Sequence, residues 1–422
     1  MRLLYNLGIY LYFFCARLAG LFNRKAALFV SGRKGLLDTV EEKMKQSGGR
    51  PVVWFHSSSV GEFEQARPLI ERLRKESPGK FIVITFFSPS GYELRRNFKS
   101  ADAVFYLPMD TPRNVRRFLN AVNPSTAIFV KYEFWYNYLL GLRRRGTPTY
   151  IISAIFRRNQ VFFRWYGSFM RKALRAYTTL FVQNEESRRL LAGLGIENVV
   201  IAGDTRFDRV QAICRNNDVH NEVVEAFVGD RRTWVAGSTW DEDEYMISKA
   251  MSGVRGFKLI LVPHEVHETH INRILNTFSG YTVLRYTECA GRSQDEYRGL
   301  AADAEVLVID IVGILSKIYK YGSFAYIGGG FSSSGIHNIL EAAIYGCPVM
   351  FGPHYDKFQE AKDLITLGGA FSVSSAPELS ALLEKWLLDP GTVEKPSLVC
   401  TQYVESHLGA SDTIMDRIFK NI

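Results

Sequence analysis

A chain of 422 residues exceeds what one hydrophobic core ordinarily organises, so two domains are expected. With 47% hydrophobic and 23% charged residues it is globular, and a net charge of +9 calls for an anionic partner: nucleic acid, an anionic membrane or a phosphorylated small molecule. The five cysteines are widely spaced with no C-x-x-C pair, which argues against a disulfide framework or a zinc ribbon and suits a reducing compartment.

The N-terminus is the most biased region. Residues 3–22, LLYNLGIYLYFFCARLAGLF, carry one charge, Arg17, and no acidic residue precedes Asp38, whereas Arg2, Arg24, Lys25, Arg33 and Lys34 are basic. At about 100° per residue, Arg2, Asn6, Arg17, Gly20 and Arg24 share one narrow stripe of an otherwise apolar helix. The following NRKAALF is a poor signal-peptide cleavage site. About 20 apolar residues just suffice to cross a bilayer. The stripe suits a helix lying in the interface on anionic head groups, and an amphipathic helix docked on its own domain is the third possibility.

Beyond it, apolar runs alternate with helical patterns: 52–56, 81–87, 103–108, 126–130, 148–153, 179–184 and 198–203, then 233–239, 257–263, 282–285, 305–310, 324–329 and 348–352. Most are continuously apolar, the mark of parallel strands buried on both faces, and alternation with helices makes βαβ units. The charged, strandless stretch 206–232 separates the two series. The predicted fold class is therefore α/β, with two Rossmann-like doubly wound domains facing across a cleft. Such sheets bind ligands at the carboxyl ends of their strands, where the chain's motifs lie.

The first motif, HSSSVGE (56–62), follows a strand and opens a helix. Gly61 is expected to allow a tight turn, and a serine to cap the helix. Glu62 reads equally as a cap partner on the positive end of the helix dipole or as a general base, and the dipole is expected to lower its pKa and leave it ionised near neutral pH. In KYEFWYNYL (131–139), Glu133 emerges at the same sheet edge, either for function or in a local salt bridge with Lys131, while Trp135 and Tyr136 read as core. GSTWDEDE (237–244) offers Ser238 and its neighbours either to a phosphate or as an ordinary helix cap. In VPHEVHETH (262–270) the histidines are three apart, whereas H-E-x-x-H needs four, so zinc is disfavoured and a strand-end His264 contacting a ligand is favoured.

The most specific stretch is IGGGFSSSGIHNILEAAIYGCPVMFGPHYDKFQEA (327–361). Gly328, Gly329 and Gly330 end a strand, and a helix is expected to start near Gly335, so bare backbone and a helix N-terminus would cradle phosphate. Asn338 and Glu341 share one helical face, where a carboxylate can hold ribose hydroxyls. Neither a P-loop nor the nicotinamide-enzyme fingerprint is present.

These motifs, in this order and over nearly the whole chain, resemble the 3-deoxy-D-manno-octulosonic acid (Kdo) transferases of lipopolysaccharide synthesis, which have the GT-B glycosyltransferase fold. His56 with Ser59-Val60-Gly61-Glu62 is similar to the family's H-x-x-S-V-G-E. Glu133, Trp135 and Asn137 match E-x-W-x-N. Gly203, Phe207 and Asp208 match G-N-x-K-F-D, with Asp204 for asparagine and Arg206 for lysine. Gly237-Ser238-Thr239 matches GST, and Asp310, Gly313 and Leu315 match D-x-x-G-x-L. His337-Asn338, Leu340-Glu341 and Gly352-Pro353-His354 match the sugar-nucleotide segment. Pro263-His264-Glu265 stands where P-R-H is usual, so a cation for the CMP phosphate is lost or replaced by His264.

The resemblance implies an inverting, metal-independent glycosyltransferase that moves Kdo from CMP-Kdo to a hydroxyl of a lipid A precursor, with no cofactor. Glu62 takes the general-base position, and Glu133 and Arg206 take positions tied to the transition state. CMP-sugar contacts fall to Ser238, Pro263, His264, Val312, Gly313, Gly329, Gly330, Asn338 and Glu341, with Ser59 and Gly61 on the acceptor side. The implied site is the cytoplasmic face of the bacterial inner membrane, with an anionic membrane surface and no nucleic acid as partner. The expected division is a membrane-associating segment 1–35, an acceptor domain 36–208, a CMP-sugar domain 209–400, and a C-terminal helix 401–422 that can pack back on the first domain. The alternatives are a GT-B enzyme using a UDP- or GDP-sugar and a non-catalytic basic binding protein.

Overall fold

A computed structural model describes residues 1–215, 220–290 and 292–420. The chain divides into two compact units: Met1–Arg209 together with the residues from Leu408 onward, and Val210–His407. The return to the first unit thus comes at Leu408, later than the expected 401, because the helix Gly391–Ser406 still belongs to the second unit.

The first unit holds β1 (Val52–Ser57), β2 (Phe81–Phe86), β3 (Ala103–Tyr106), β4 (Thr126–Val130), β5 (Thr149–Ala154), β6 (Thr179–Val182) and β7 (Val199–Ile201), all parallel in the order β3-β2-β1-β4-β5-β6-β7. Its leading helices are α1 (Arg2–Ala19), α2 (Arg24–Ser31), α3 (Leu36–Met44), α4 (Val60–Glu76), α5 (Pro89–Arg95), α6 (Pro112–Val122) and α7 (Tyr136–Arg144). The continuous apolar runs are explained by cover on both faces. Val52, Trp54 and Phe129 pack with α3, α6 and α7 through Val40, Phe118 and Leu139. Val53, Phe55 and Ile128 pack with α4 and the C-terminal helix Ala410–Phe419 through Phe63, Leu69, Ile414 and Ile418.

The second unit repeats the plan with β8 (Arg232–Thr239), β9 (Phe257–Pro263), β10 (Val283–Arg285), β11 (Val306–Val308), β12 (Phe324–Ile327), β13 (Val349–Phe351) and β14 (Ala370–Ser372), parallel in the order β10-β11-β9-β8-β12-β13-β14. β14 is absent from the sequence reading: three residues at the sheet edge, with Ser372 exposed, make no apolar run. Both units are Rossmann-like and doubly wound, as the alternation predicts. In each, the order reverses once near the middle, between β1 and β4 and between β8 and β12. Ligands of such sheets collect outside the carboxyl ends at that reversal.

Asp208, a motif residue, has a structural duty here. Its carboxylate accepts the backbone N–H of Gly409 at 2.8 Å and of Ser411 at 2.6 Å, capping the C-terminal helix on the first unit. Asp208→Ala is expected to cost about 1–2 kcal/mol, read as a lowered midpoint in thermal or urea unfolding.

Helix α1 departs from the expected 3–22. It ends at Ala19, and Asn23 starts α2 by accepting Lys25 N at 2.9 Å and Ala26 N at 3.1 Å, so Arg24 leaves the stripe. Eighteen residues span about 27 Å. Among the described residues no helix is long and apolar enough to cross a membrane. Tyr5, Asn6, Ile9 and Phe13 turn towards the protein, while Leu3 (84% exposed), Leu7 (63%), Phe14 (57%) and Phe22 (92%) face outwards.

Candidate active site

In the first unit the two carboxylates flank the reversal, Glu62 after β1 and Glu133 after β4. Both readings of Glu62 have a physical basis. Its Oε2 accepts Ser58 N at 2.6 Å and Ser59 N at 3.1 Å, while Ser59 Oγ accepts Glu62 N at 3.4 Å, a reciprocal capping box on α4. Burial, then the charge of Glu133, push its pKa from the ordinary 4.5 up to about 7, against the two backbone N–H groups and His56. The expected dipole-lowered, fully ionised Glu62 is therefore corrected: desolvation and a like charge outweigh the helix N-terminus. A base titrating near neutrality is better matched to accepting a hydroxyl proton than a strongly acidic one.

Glu133 behaves oppositely. Burial works to raise its pKa, but the charge and hydrogen bond of His56, with hydrogen bonds from Ser58 and Trp135, hold it below the usual carboxylate range. Of the two readings, function or a salt bridge with Lys131, the observed contact supports neither directly and is to His56: His56 Nε2 lies 3.0 Å from Glu133 Oε2, both buried. Trp135 Nε1–H donates to the same oxygen, so this tryptophan serves the carboxylate as well as the core. The other ring nitrogen, His56 Nδ1, lies 2.8 Å from Thr85 Oγ1, which itself accepts Trp54 Nε1–H at 2.8 Å. His56 is thus fixed from both ends. Lys131, one step after β4, takes φ 68°, and Ser153, near the end of β5, takes φ 50°; such strain gathers where strand ends are shaped for ligands.

Gly61 does not make a turn. It lies within the first turn of α4, at negative φ, with nothing within 4 Å of where a Cβ would stand. Helix geometry does not require glycine there. Arg206, after β7, donates through Nε to Asp204 Oδ2 at 2.8 Å. Asp204 also accepts Arg206 N at 2.9 Å and Gln183 Nε2 at 3.1 Å. The two departures from the family pattern, Asp204 and Arg206, are therefore one ion pair.

In the second unit the named residues gather at the carboxyl ends of β8, β9, β11 and β12. Ser238 takes φ 55° at a register shift between β8 and β9. The glycine cradle is corrected. Gly329 N–H donates to buried Asp243 Oδ2 at 2.8 Å, and Asp243 also accepts Tyr326 OH at 2.8 Å and Trp240 N at 3.0 Å. Gly330 lies so close to Gly352 that a Cβ would come within 2.5 Å of its backbone nitrogen. These glycines serve close backbone packing, with the Gly329 amide already bonded. The helix begins at Leu340, not near Gly335, and has four residues, Leu340–Ala343. Asn338 and Glu341 do meet, Nδ2 to Oε1 at 3.1 Å, and both are half-buried. Val312 is 77% exposed and Gly313 takes φ 91° in the loop after β11. Asp310 anchors that loop, accepting Arg285 Nε at 2.9 Å and Thr287 N at 3.0 Å.

Pro263 closes β9, and the His264 ring stacks on both Trp240, at 4.6 Å, and His337, at 4.4 Å. Trp240 Nε1–H donates to His337 Nε2 at 3.2 Å. Burial lowers the pKa of His264, and burial with His264 nearby lowers His337 to about 4. Both shifts favour the neutral ring in the protein as it stands. Trp240, inside GSTWDEDE, and His337, inside the sugar-nucleotide segment, have no site role in the sequence reading; the stacking that unites them is long-range.

The three histidines of 262–270 do not converge. His267 caps the helix Glu268–Thr277, its Nδ1 accepting His270 N at 3.1 Å. His270 Nε2 lies 3.0 Å from Glu244 Oε2 and 3.1 Å from Asp241 Oδ1, and Arg273 also holds Asp241. Asp241, Glu244 and His270 are close enough to hold a metal ion, and as they stand the His270–Glu244 contact and the Arg273–Asp241 ion pair join the helices Asp241–Met251 and Glu268–Thr277.

Comparison with known proteins agrees with the motifs. A sequence model of the family described as 3-Deoxy-D-manno-octulosonic-acid transferase (kdotransferase) matches residues 31–209. The 3-deoxy-D-manno-octulosonic acid transferase of Aquifex aeolicus is 27% identical over 354 residues, 82% of this chain and 88% of that protein. The enzyme of the same name from Haemophilus influenzae is 25% identical over 377 residues, 86% of each. Among solved structures, a UDP-GlcNAc 2-epimerase from Neisseria meningitidis superposes with a TM-score of 0.61 at 15% identity, covering 88% of this chain and all of that one, a likeness of fold. The chain is a glycosyltransferase of the GT-B type, similar over most of its length to the Kdo transferases, and residues 31–209 of its first unit match that family's model.

Proposed function

We propose that the chain transfers Kdo from CMP-Kdo, with inversion, to a hydroxyl of a lipid A precursor. The observation that carries this reading is the divided pair of carboxylates: Glu133 held charged by His56, and Glu62 beside it raised to about 7. Glu62 takes the acceptor proton as the hydroxyl attacks the anomeric carbon, and CMP departs with the electrons of the breaking bond. Arg206 balances the negative charge that accumulates on the leaving group. A carboxylate base and an arginine supply what a metal would otherwise contribute, so a chelator is expected to leave the rate unchanged. In the second unit, Asn338 and Glu341 take the ribose, and Pro263, His264, Val312 and Gly313 border the nucleotide. Incubating the purified protein with CMP-Kdo and a defined lipid A precursor tests the reading; a product heavier by whole Kdo residues supports it. Turnover with a UDP- or GDP-sugar in place of CMP-Kdo would overturn it.

Gly61 supports an acceptor at the start of α4, because a glycine inside a helix costs about 1 kcal/mol relative to alanine without any steric need in the protein itself. Gly61→Ala is expected to raise the thermal midpoint yet increase KM for the acceptor. An unchanged KM would remove Gly61 from the acceptor side.

The acceptor is a lipid, and the first unit has a surface suited to one. The outward face of α1 is apolar, and beside it lies a cavity of about 1020 Å³ lined by Ile9, Phe13, Ala27 and Val30 with Lys34 and Arg113 among them. Apolar contact with acyl chains and cationic contact with phosphates fit a protein resting on the anionic cytoplasmic face of the inner membrane. Flotation with anionic vesicles, compared with neutral ones, checks this: binding to neither would overturn it.

A further inference from the structure

Helix α7 carries no side-chain cap of its own, because Trp135 at its N-cap offers only an indole N–H, a donor, which goes to Glu133. The cap comes from Asp110, which follows β3. Its Oδ2 accepts Asn137 N and its Oδ1 accepts Tyr138 N, each at 3.0 Å. Burial pushes Asp110 up to about 6, so at neutral pH it remains a charged acceptor.

The same carboxylate accepts the Tyr5 hydroxyl of α1 at 2.6 Å. The neighbouring Asn6 Oδ1 accepts Asn137 Nδ2 at 2.8 Å, and that amide also donates to Asp110 O at 2.7 Å. A second route is aromatic. Tyr12 of α1 stacks on Phe87 at 6.3 Å, and Phe87 lies 4.7 Å from Trp135. Polar and aromatic contacts thus both run from α1 to the turn that holds Glu133. No residue of α1 is fully buried, so these specific contacts, rather than a large apolar interface, fix its place. A simple membrane anchor requires neither set.

We propose that α1 is a positioning element of the active site: Tyr5 and Asn6, acting through Asp110 and Asn137, hold the turn that sets Glu133 and Trp135 against His56. The helix then has two working faces, one towards lipid and one towards the carboxylates, so seating α1 on a bilayer favours the competent turn. Tyr5 and Asn6 touch no reacting atom. The proposal rests on the role given to Glu133 under the proposed function.

Tyr5→Phe keeps the ring and removes only the hydroxyl. With acceptor dispersed in detergent, it is expected to lower kcat about five- to tenfold while KM for the acceptor stays within about twofold. Hydrogen exchange measured by mass spectrometry should quicken at Asn137 and Tyr138. Leu3→Ser combined with Leu7→Ser, on the outward face, should instead raise KM for acceptor presented in vesicles. Wild-type kcat with unchanged exchange in Tyr5→Phe, or a loss confined to KM, would overturn the proposal. Should Tyr5→Phe fail to fold, Asn6→Ala carries the same test. Absence of transfer by the wild type would count against the functional reading instead, and the exchange at Asn137 and Tyr138 would still decide whether α1 holds the turn.

Discussion

Glu62→Gln is expected to lower kcat by about two to four orders of magnitude, the usual worth of a positioned general base, while leaving the fold intact. The amide can still accept Ser58 N and Ser59 N and so keep the capping box, but it cannot take the acceptor proton. The pH dependence is the sharper signature. Wild-type kcat/KM should rise with pH and level off above about 7, as Glu62 ionises, and the variant should lack that limb. Stability should move the other way. A carboxyl whose pKa is raised from 4.5 to about 7 holds its proton more tightly in the folded state. Its contribution is therefore fully present below pH 4.5 and is lost as pH rises through 7. Glutamine carries no such penalty, so the gain in melting temperature over wild type should be larger at pH 8 than at pH 5. Wild-type activity in the variant would return Glu62 to capping alone.

Arg206→Ala is expected to lower kcat by about 10²–10³, in the range found when one transition-state charge stabiliser is removed. Its pairing with Asp204 makes a finer prediction. In Arg206→Lys the shorter, compact ammonium should be drawn onto Asp204 and away from the leaving group. In Asp204→Asn the arginine loses its charged contact with Asp204. Combined, the two changes restore the asparagine and lysine usual in Kdo transferases, so the double variant should be more active than either single one, with a coupling of about 1–3 kcal/mol in a double-mutant cycle. Simple additivity of the two losses would show that the Asp204–Arg206 pair has no part in setting the rate.

Much of this was legible before any coordinates. Continuous apolar runs are legible because a parallel strand buried on both faces has no polar alternative, and Val53 and Trp54, packed into opposite core layers, show why neither could be polar. The edge strand β14 escapes the same logic, because its apolar residues stop at the exposed Ser372. Residue type and spacing also gave the capping of α4 by Ser59 and Glu62 and the meeting of Asn338 with Glu341, because both are contacts between residues three apart in the chain, although Asn338 precedes the helix that begins at Leu340. Misreadings arose where a local motif admits two explanations. Gly329 and Gly330 resemble a phosphate cradle in sequence, but one amide is taken by Asp243 and the other residue abuts Gly352.

By itself, then, the sequence determined the two doubly wound sheets, the strand-end placement of Glu62 and Glu133, and the family resemblance, all of which depend on local periodicity and order along the chain. Only the tertiary structure decided what those residues are chemically. Because β1 and β4 lie side by side, Glu62 is raised by burial and by the charge of Glu133, and Glu133 is lowered by His56 against its own burial. His264 is held below its ordinary pKa by burial, at a place where Trp240 and His337 from distant segments stack on it. Desolvation and the field of neighbouring charges depend on distance through space, and that quantity is absent from a linear pattern until the chain has folded.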